Sequence, residues 1–419
     1  RPPRSTLFPY TTLFRSTIVG WFIILLVVFQ LKPHWPSFSW LDADALMNKV
    51  FTLDNVGHAL IVFCFMFLMA LIAGLFTGKK LKMIAASFPV VFFLTLLAMV
   101  VGGNKFLKDW GFETVIFSLL IGLFISNIFY IPKWLKESLS SELFVKIGLV
   151  LLGTTVLFDD LLKAGALGLI QSCVVVFTVW NFCFWLCRKM KIDKEMSLML
   201  SSAVSICGVS AAVATAGAIK GDKTKLSYVV SLVLVVAVPM ILIMPGLAKL
   251  MGLPEDMAGA WIGGTIDTTG AVAATGAIYG EVALQTSTIV KFSQNVLLGV
   301  AAFLISIYWS YSKKEVTEEK PTLKVIWLRF PKFVLGFVAA SLVFSFCVAP
   351  EVVSDAKPIL KNIQGMWFAL AFMSIGLETD FKSLITSENR RSTYAFLGAQ
   401  AFNVVFTLFV AWILFGLIA

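Results

Sequence analysis

Histidine and charge are what this chain has least of. Its 419 residues include two His, His34 and His58, both early in the chain. A His-built metal site or a Ser-His-Asp triad is therefore not expected. Charged residues make up 14% of the chain, against about 25% in an ordinary globular protein. The six Cys (Cys64, Cys173, Cys183, Cys187, Cys207 and Cys347) lie inside apolar runs without a C-x-x-C pair. They read as buried thiols, not as a zinc or redox motif. Apolar sequence takes the place of all this: 59% of residues are hydrophobic and the mean hydropathy is +0.90. A soluble fold of this length could not hide so much apolar surface, so the expected class is an all-α polytopic membrane protein. The net charge of +10 sits in short loops between apolar runs, which fits membrane topology and not nucleic acid.

The chain opens RPPRSTLFPYTTLFRS, in which R-S-T-L-F at 4–8 returns as T-T-L-F-R-S at 11–16. Residues 1–16 are read as a non-native leader, with the native start missing. Residues 17–419 are read as one transmembrane transporter domain with a cytoplasmic linker near 310–329. A crossing helix needs about 20 mostly apolar residues. Candidates fall near 17–31, 57–77, 83–102, 113–130, 144–162, 166–187, 198–219, 226–250, 257–279, 286–309, 330–349, 363–378 and 393–418.

Charge placement then exposes a conflict. Basic loops carry Lys79, Lys80 and Lys82; Arg188, Lys189, Lys191 and Lys194; Lys220, Lys223 and Lys225; Lys313, Lys314, Lys320, Lys324, Arg329 and Lys332; and Arg390 with Arg391. The second and third of these flank 198–219, so a full crossing there would put one of them outside. The loops with Glu255, Asp256 and Glu281 carry no Lys or Arg and flank 257–279. If both segments are re-entrant, one from each side, every basic loop falls on one side and both acidic loops on the other. The expectation is about 11 spans plus two broken or re-entrant segments.

Those two segments are unusual in composition. SSAVSICGVSAAVATAGAI at 201–219 and GGTIDTTGAVAATGAI at 263–278 are crowded with Gly, Ser, Thr and Ala. Gly lets backbone leave the helix at low steric cost. Broken half-helices can then aim free N–H groups at an anion near the midplane. Close packing through small residues is the competing reading. Ser205, Cys207, Gly208 and Ser210 are the candidates in the first segment; Gly264, Thr265, Asp267, Thr268 and Thr269 are those in the second. A carboxylate at membrane depth is a functional candidate by default. Asp267 could take Na⁺ or H⁺, pair with a Lys, or cap the half-helix after it. Lys291 is the expected counter-charge, and Thr288, Lys291 and Asn295 share one helix face with Gln294 beside them. Snorkelling of Lys291 to the interface is the alternative.

A second pair of segments is alike at longer range. LLGTTVLFDDLL at 151–162 and SIGLETDFKSLI at 374–385 align Gly153 with Gly376, Phe158 with Phe381, Leu161 with Leu384 and Leu162 with Ile385, at an offset of 223 residues. Inverted-repeat transporters give such symmetry. Asp159, Asp160, Glu378 and Asp380 read as interfacial, and Asn127 as an interhelical hydrogen-bonding residue. Asp159-Asp160 has no second Asp-rich partner, as prenyl transfer would need. An intramembrane aspartyl protease would need a second deep Asp beside Asp267. No enzyme is expected, and a channel is less favoured because no charged ring or filter repeat is visible.

The stretch from SICGVSAAVATAGAIKG through GAWIGGTIDTTGAVAATGAIYG to STIVKFSQNVLLG, with LGTTVLFDDLLKAG, resembles the YeiH-like bacterial membrane proteins, a family named for sulfate export. The resemblance runs from about residue 57 onward. It implies an exporter of a small inorganic anion such as sulfate, multi-pass in the bacterial inner membrane. It also implies an inverted-repeat carrier architecture with interrupted helices. It supports Ser205, Cys207, Gly208, Ser210, Gly264, Asp267, Thr268 and Lys291 as site residues. Two positions depart from the pattern the resemblance implies: Ile266 stands where a His is expected and Gln294 where an Arg is expected. Those departures point towards another anion, and a Na⁺- or H⁺-coupled organic-anion symporter is the alternative. No cofactor is expected beyond a coupling Na⁺ or H⁺. The partners expected are the anion and the lipid bilayer, with a homo-oligomer left open and no nucleic acid.

Overall fold

The structure is a computed structural model and describes residues 11–30, 33–77, 81–109, 114–313, 330–379 and 390–418. Lys79, Lys80, Lys314, Lys320, Lys324, Arg329, Asp380, Phe381, Leu384 and Ile385 lie outside the described residues, as does most of the expected linker. Among the described residues all regular structure is helical, and the only bridge is an isolated one between Trp40 and Asn104. Seven helices are long and apolar enough to cross a membrane. The fold is that of an all-α membrane protein.

The principal helices are α1 (Thr11–Val28), α2 (Leu53–Thr77), α3 (Leu81–Gly102), α4 (Thr114–Ile128), α5 (Ser141–Leu152), α6 (Phe158–Lys189), α7 (Lys194–Ser202) and α8 (Val209–Ile219). They continue with α9 (Lys223–Leu250), α10 (Glu255–Thr265), α11 (Thr269–Tyr279), α12 (Glu281–Lys313), α13 (Phe333–Phe346), α14 (Pro350–Glu378) and α15 (Arg390–Ala411). They sort into two compact units. Arg1–Asp159 with Lys332–Asp380 forms one, and Asp160–Pro331 with Phe381–Ala419 forms the other. Two of the three handovers, after Asp159 and after Asp380, fall inside the look-alike stretches.

One boundary differs from the sequence expectation. Instead of one span over 144–162, α5 stops at Leu152 and α6 starts at Phe158. Thr154 and Thr155 turn their hydroxyls back onto the carbonyls of Leu151 and Leu152, both at 2.8 Å. Asp159 and Asp160 are exposed in the first turn of α6, where negative charge suits the helix dipole.

In the first unit the look-alike glycines are contact points. A Cβ on Gly376 would lie 2.6 Å from the Leu119 carbonyl oxygen and 2.8 Å from Gly122 Cα. A Cβ on Gly153 would lie 2.4 Å from the Phe337 carbonyl oxygen. Three residues beyond each glycine a carbonyl accepts from a serine: Ser126 donates to Thr379 O at 2.8 Å, and Ser341 donates to Val156 O at 2.7 Å. Asn127 adds a longer bond to Thr379 O, at 3.3 Å. Gly376→Leu is expected to push α4 and α14 apart at a cost of about 1–3 kcal/mol. Thermal unfolding in detergent measures it, and an unchanged midpoint would mean that the two backbones do not touch.

In the second unit the two unusual segments are helical hairpins. Lys225 Nζ binds Asp193 Oδ1 and Glu195 Oε2, each at 2.8 Å. The Asp222 N–H donates to Glu195 Oε1, and Leu198, Ile219 and Ile305 cluster together. Residues before α7 and after α8 are therefore neighbours, which a continuous helix would forbid. Asp222 also caps α9; the N–H groups of Lys225 and Thr224 hold its carboxyl below the usual carboxylate range. This cap is in place above about pH 4 and is released as pH falls through its lowered folded value.

The second hairpin closes the same way. Glu255 Oε2 accepts from the N–H groups of Val282 (2.9 Å) and Ala283 (3.3 Å), and the Tyr279 hydroxyl donates to Leu253 O. Helix α12 runs beside both hairpins. Its Ser287 and Val290 lie against Gly263 of α10. Its Leu298 and Ala302 pack with Ala211 and Ala214 of α8, and Lys194 Nζ sits over the ring of Tyr308 at 4.4 Å. The hairpins thus enter from opposite ends of α12, with Lys194, Lys220, Lys223 and Lys225 at one end and Glu255, Asp256 and Glu281 at the other.

Candidate site at the crossing of two hairpin tips

Each hairpin turns where its helix fails. The turn Ala203–Cys207 is wide, and Gly208 then takes φ 58° and ψ −111°, a backbone state that side-chain-bearing residues rarely adopt. The second hairpin opens at Ile266, which is extended (φ −76°, ψ 133°), as is Thr268 (φ −105°, ψ 140°). The tips touch: a Cβ on Gly208 would lie 3.2 Å from Asp267 Cβ and 2.7 Å from Val233 Cγ1.

A helix that ends inside an apolar core leaves carbonyls without partners. Here side chains supply the missing donors. From α12, Lys291 Nζ reaches Ile206 O at 2.6 Å and Gln294 Nε2 reaches Gly264 O at 2.9 Å. From α15, Gln400 Nε2 donates to Thr265 O at 3.0 Å. Asn403 Nδ2 lies 3.1 Å from the same oxygen and 3.2 Å from Val204 O. Thr407 fixes the Asn403 amide by donating to its Oδ1 at 2.7 Å. Gln171 of α6 donates to Ala260 O at 2.7 Å.

All twelve sequence candidates lie in this second unit, at or beside the crossing. Ser205 is buried and turns its hydroxyl back to Ser201 O at 2.7 Å. Cys207, Gly208, Gly264 and Thr265 are buried at the tips, whereas Ser210 is exposed and Thr268 and Thr269 are half-buried. Asn295 Nδ2 rests on Thr269 Oγ1 at 3.2 Å. Gln294 accepts from Lys291 at 2.8 Å while it donates to Gly264 O, so its amide is committed at both ends. An Arg there could not accept that bond.

Two alternative readings fall away. Asp267 does not cap α11: Thr268 takes that place, accepting from the Ala271 N–H at 3.2 Å. Lys291 does not snorkel and forms no hydrogen bond with Asp267. It is 1% exposed and its ammonium is directed to the first hairpin tip and Gln294. Both Asp267 carboxylate oxygens are buried without a hydrogen-bond partner, and so are Thr265 Oγ1, Thr288 Oγ1 and Asn295 Oδ1.

The α15 residues Gln400, Asn403 and Thr407 are absent from the sequence-derived candidates. Their signal was present: three polar residues at i, i+3 and i+7 in an apolar run, the same spacing as Thr288, Lys291 and Asn295.

Relatives of this chain are membrane proteins. It is similar to a UPF0324 membrane protein of Rhodopirellula baltica, 38% identical over 351 residues that cover 81% of this chain and 65% of that protein. It is similar to another of Nitratidesulfovibrio vulgaris, 37% identical over 357 residues that cover 82% of this chain and 61% of that protein. A third, of Nitrosomonas europaea, is 28% identical over 73% of this chain. The chain thus spans less than two thirds of the length of the first two, 65% and 61%. No solved structure matches it. The profile of conserved hypothetical protein 698 matches residues 86–395, the stretch that holds both hairpins, α12 and the start of α15. The chain is a multi-pass helical membrane protein and belongs to the conserved hypothetical protein 698 family.

Proposed function

We propose that the chain is a secondary transporter, not an enzyme, which exports a small inorganic anion such as sulfate across the bacterial inner membrane. The observation that carries this reading is the meeting of two hairpin tips, Gly208 against Asp267, inside a membrane protein. Irregular backbone at membrane depth is tolerated where it lines a binding site. Helix α8 begins at this crossing with no side-chain cap, so its first N–H groups are donors for an anion. Ser210, Thr268 and Thr269 add hydroxyls, and none of the three is fully buried. The matched glycine–serine contacts at Gly153 and Gly376 support an inverted repeat. With the two hairpins not crossing, about 11 spans remain, and the basic end of the second unit faces the cytoplasm.

Counterflow of radiolabelled sulfate into proteoliposomes tests the reading. Saturable counterflow is expected in wild type and its loss in Asp267→Asn and Lys291→Met. Linear, non-saturating flux would indicate a channel and overturn it. A folded wild type without sulfate counterflow, but with saturable exchange of an organic acid, would favour the coupled symporter instead. The partnerless buried carboxylate of Asp267 is the feature that suits that second reading.

A further inference from the structure

Acceptors outnumber donors at the crossing. The N–H groups of Gln294, Gln400 and Asn403 and the ammonium of Lys291 are directed at backbone carbonyls or at one another. Two carboxylate oxygens of Asp267, the amide oxygen of Asn295 and the hydroxyl of Thr265 remain, all buried and without partners. Burying such groups without a partner is unfavourable by about 1–3 kcal/mol each, and more for a charged one. A native core tolerates such a set where something else satisfies it.

These oxygens are carried by one hairpin tip and by the helix packed beside it. Thr265 and Asp267 flank the extended Ile266 in one hairpin tip. Asn295 is docked on Thr269, two residues beyond Asp267. The other hairpin tip covers the spot, with Gly208 against Asp267. We infer that Asp267, Thr265 and Asn295 form a binding site for a monovalent hard cation, Na⁺, at the crossing of the hairpin tips.

The chemistry selects the ion. The donor set is all oxygen, which suits hard cations and not zinc or copper. One carboxylate is the only anionic ligand, and Lys291 is close enough for its charge to act on Asp267. With Lys291 charged, a divalent ion there would leave two positive charges in excess in a low-dielectric core where Na⁺ leaves one. A proton on Asp267 adds a single donor, whereas a metal ion can draw on all four oxygens at once. The inference rests on the transport reading for its purpose, because it supplies the coupling ion. It does not rest on that reading for its test.

Equilibrium binding of ²²Na⁺ to the purified full chain in detergent, with no anion substrate added, is that test. Wild type is expected to bind saturably and to release the label to unlabelled NaCl but not to choline chloride. Asp267→Asn should abolish binding while staying monodisperse. Asn295→Leu, which keeps the carboxylate, should weaken it about tenfold or more, the loss of one ligand to a charged group. Wild-type binding in Asp267→Asn, or no saturable binding by folded wild type, overturns the site. Sulfate counterflow run in parallel separates the two readings. Counterflow that persists in choline, with no Na⁺ binding, leaves the transporter and removes the cation site. Na⁺ binding without any anion flux leaves the site and removes the anion transporter.

Discussion

Gly208→Ala is expected to lower stability by about 2–6 kcal/mol and to abolish sulfate counterflow. Two effects act together. At φ 58° and ψ −111° an alanine carries backbone strain of about 1–3 kcal/mol. Its Cβ would also lie 2.7 Å from Val233 Cγ1 and 3.2 Å from Asp267 Cβ, and overpacking of that kind costs about 1–3 kcal/mol. Gly252 separates the terms. It too has a positive φ, 64°, yet a Cβ there would meet nothing within 4 Å. Gly252→Ala should therefore show the strain alone, about 1–2 kcal/mol, and leave counterflow intact. Thermal unfolding followed by tryptophan fluorescence reads both variants. Equal midpoints for the two would show that the hairpin tips are not in contact at Gly208.

The hairpins are legible in the sequence, and for a physical reason. Two basic loops flanking one apolar run, and two acidic loops flanking another, are hard to reconcile with full crossings. Backbone that breaks in an apolar core also needs Gly and small polar residues, which both segments show. The ends of α7 and α8 meeting through Lys225, Asp193 and Glu195 are the structural form of that charge pattern. What the sequence hid was partner choice. Lys291 and Asp267 look like a pair because opposite charges are the obvious match, but charge does not reveal that a broken helix leaves carbonyls needing donors. Ile206 O claims the ammonium, and Gln294 bridges it to Gly264 O. Gln400 and Asn403 went unremarked because an isolated amide in an apolar run is uninformative until the carbonyls it serves are known. Asp267 is one candidate cap of α11 by residue type, and Thr268 takes that place. Either side chain can cap a helix, and the extended stretch at 266–268 decides which one faces the first turn.

Lys291→Met should be the most damaging single substitution in the second unit. The change keeps much of the side-chain volume and removes the ammonium from a residue that is 1% exposed. Ile206 O and Gln294 Oε1 would both lose their donor, at about 1–3 kcal/mol each. The Asp267 carboxylate would lose the positive charge that acts on it, and breaking a buried charge pair by removing one partner costs about 3–5 kcal/mol by itself. The double variant Lys291→Met with Asp267→Asn tells the two contributions apart. If the charges matter to one another, neutralising Asp267 restores part of the stability and the double-mutant cycle shows a coupling of about 0.5–3 kcal/mol. If Lys291 serves only as a donor to the hairpin tip, Asp267→Asn rescues nothing and the cycle is additive. We expect coupling, because no hydrogen bond reaches Asp267 while the Lys291 charge acts on it. An additive cycle would make Lys291 a purely structural staple and would leave the carboxylate to be balanced by a bound cation alone.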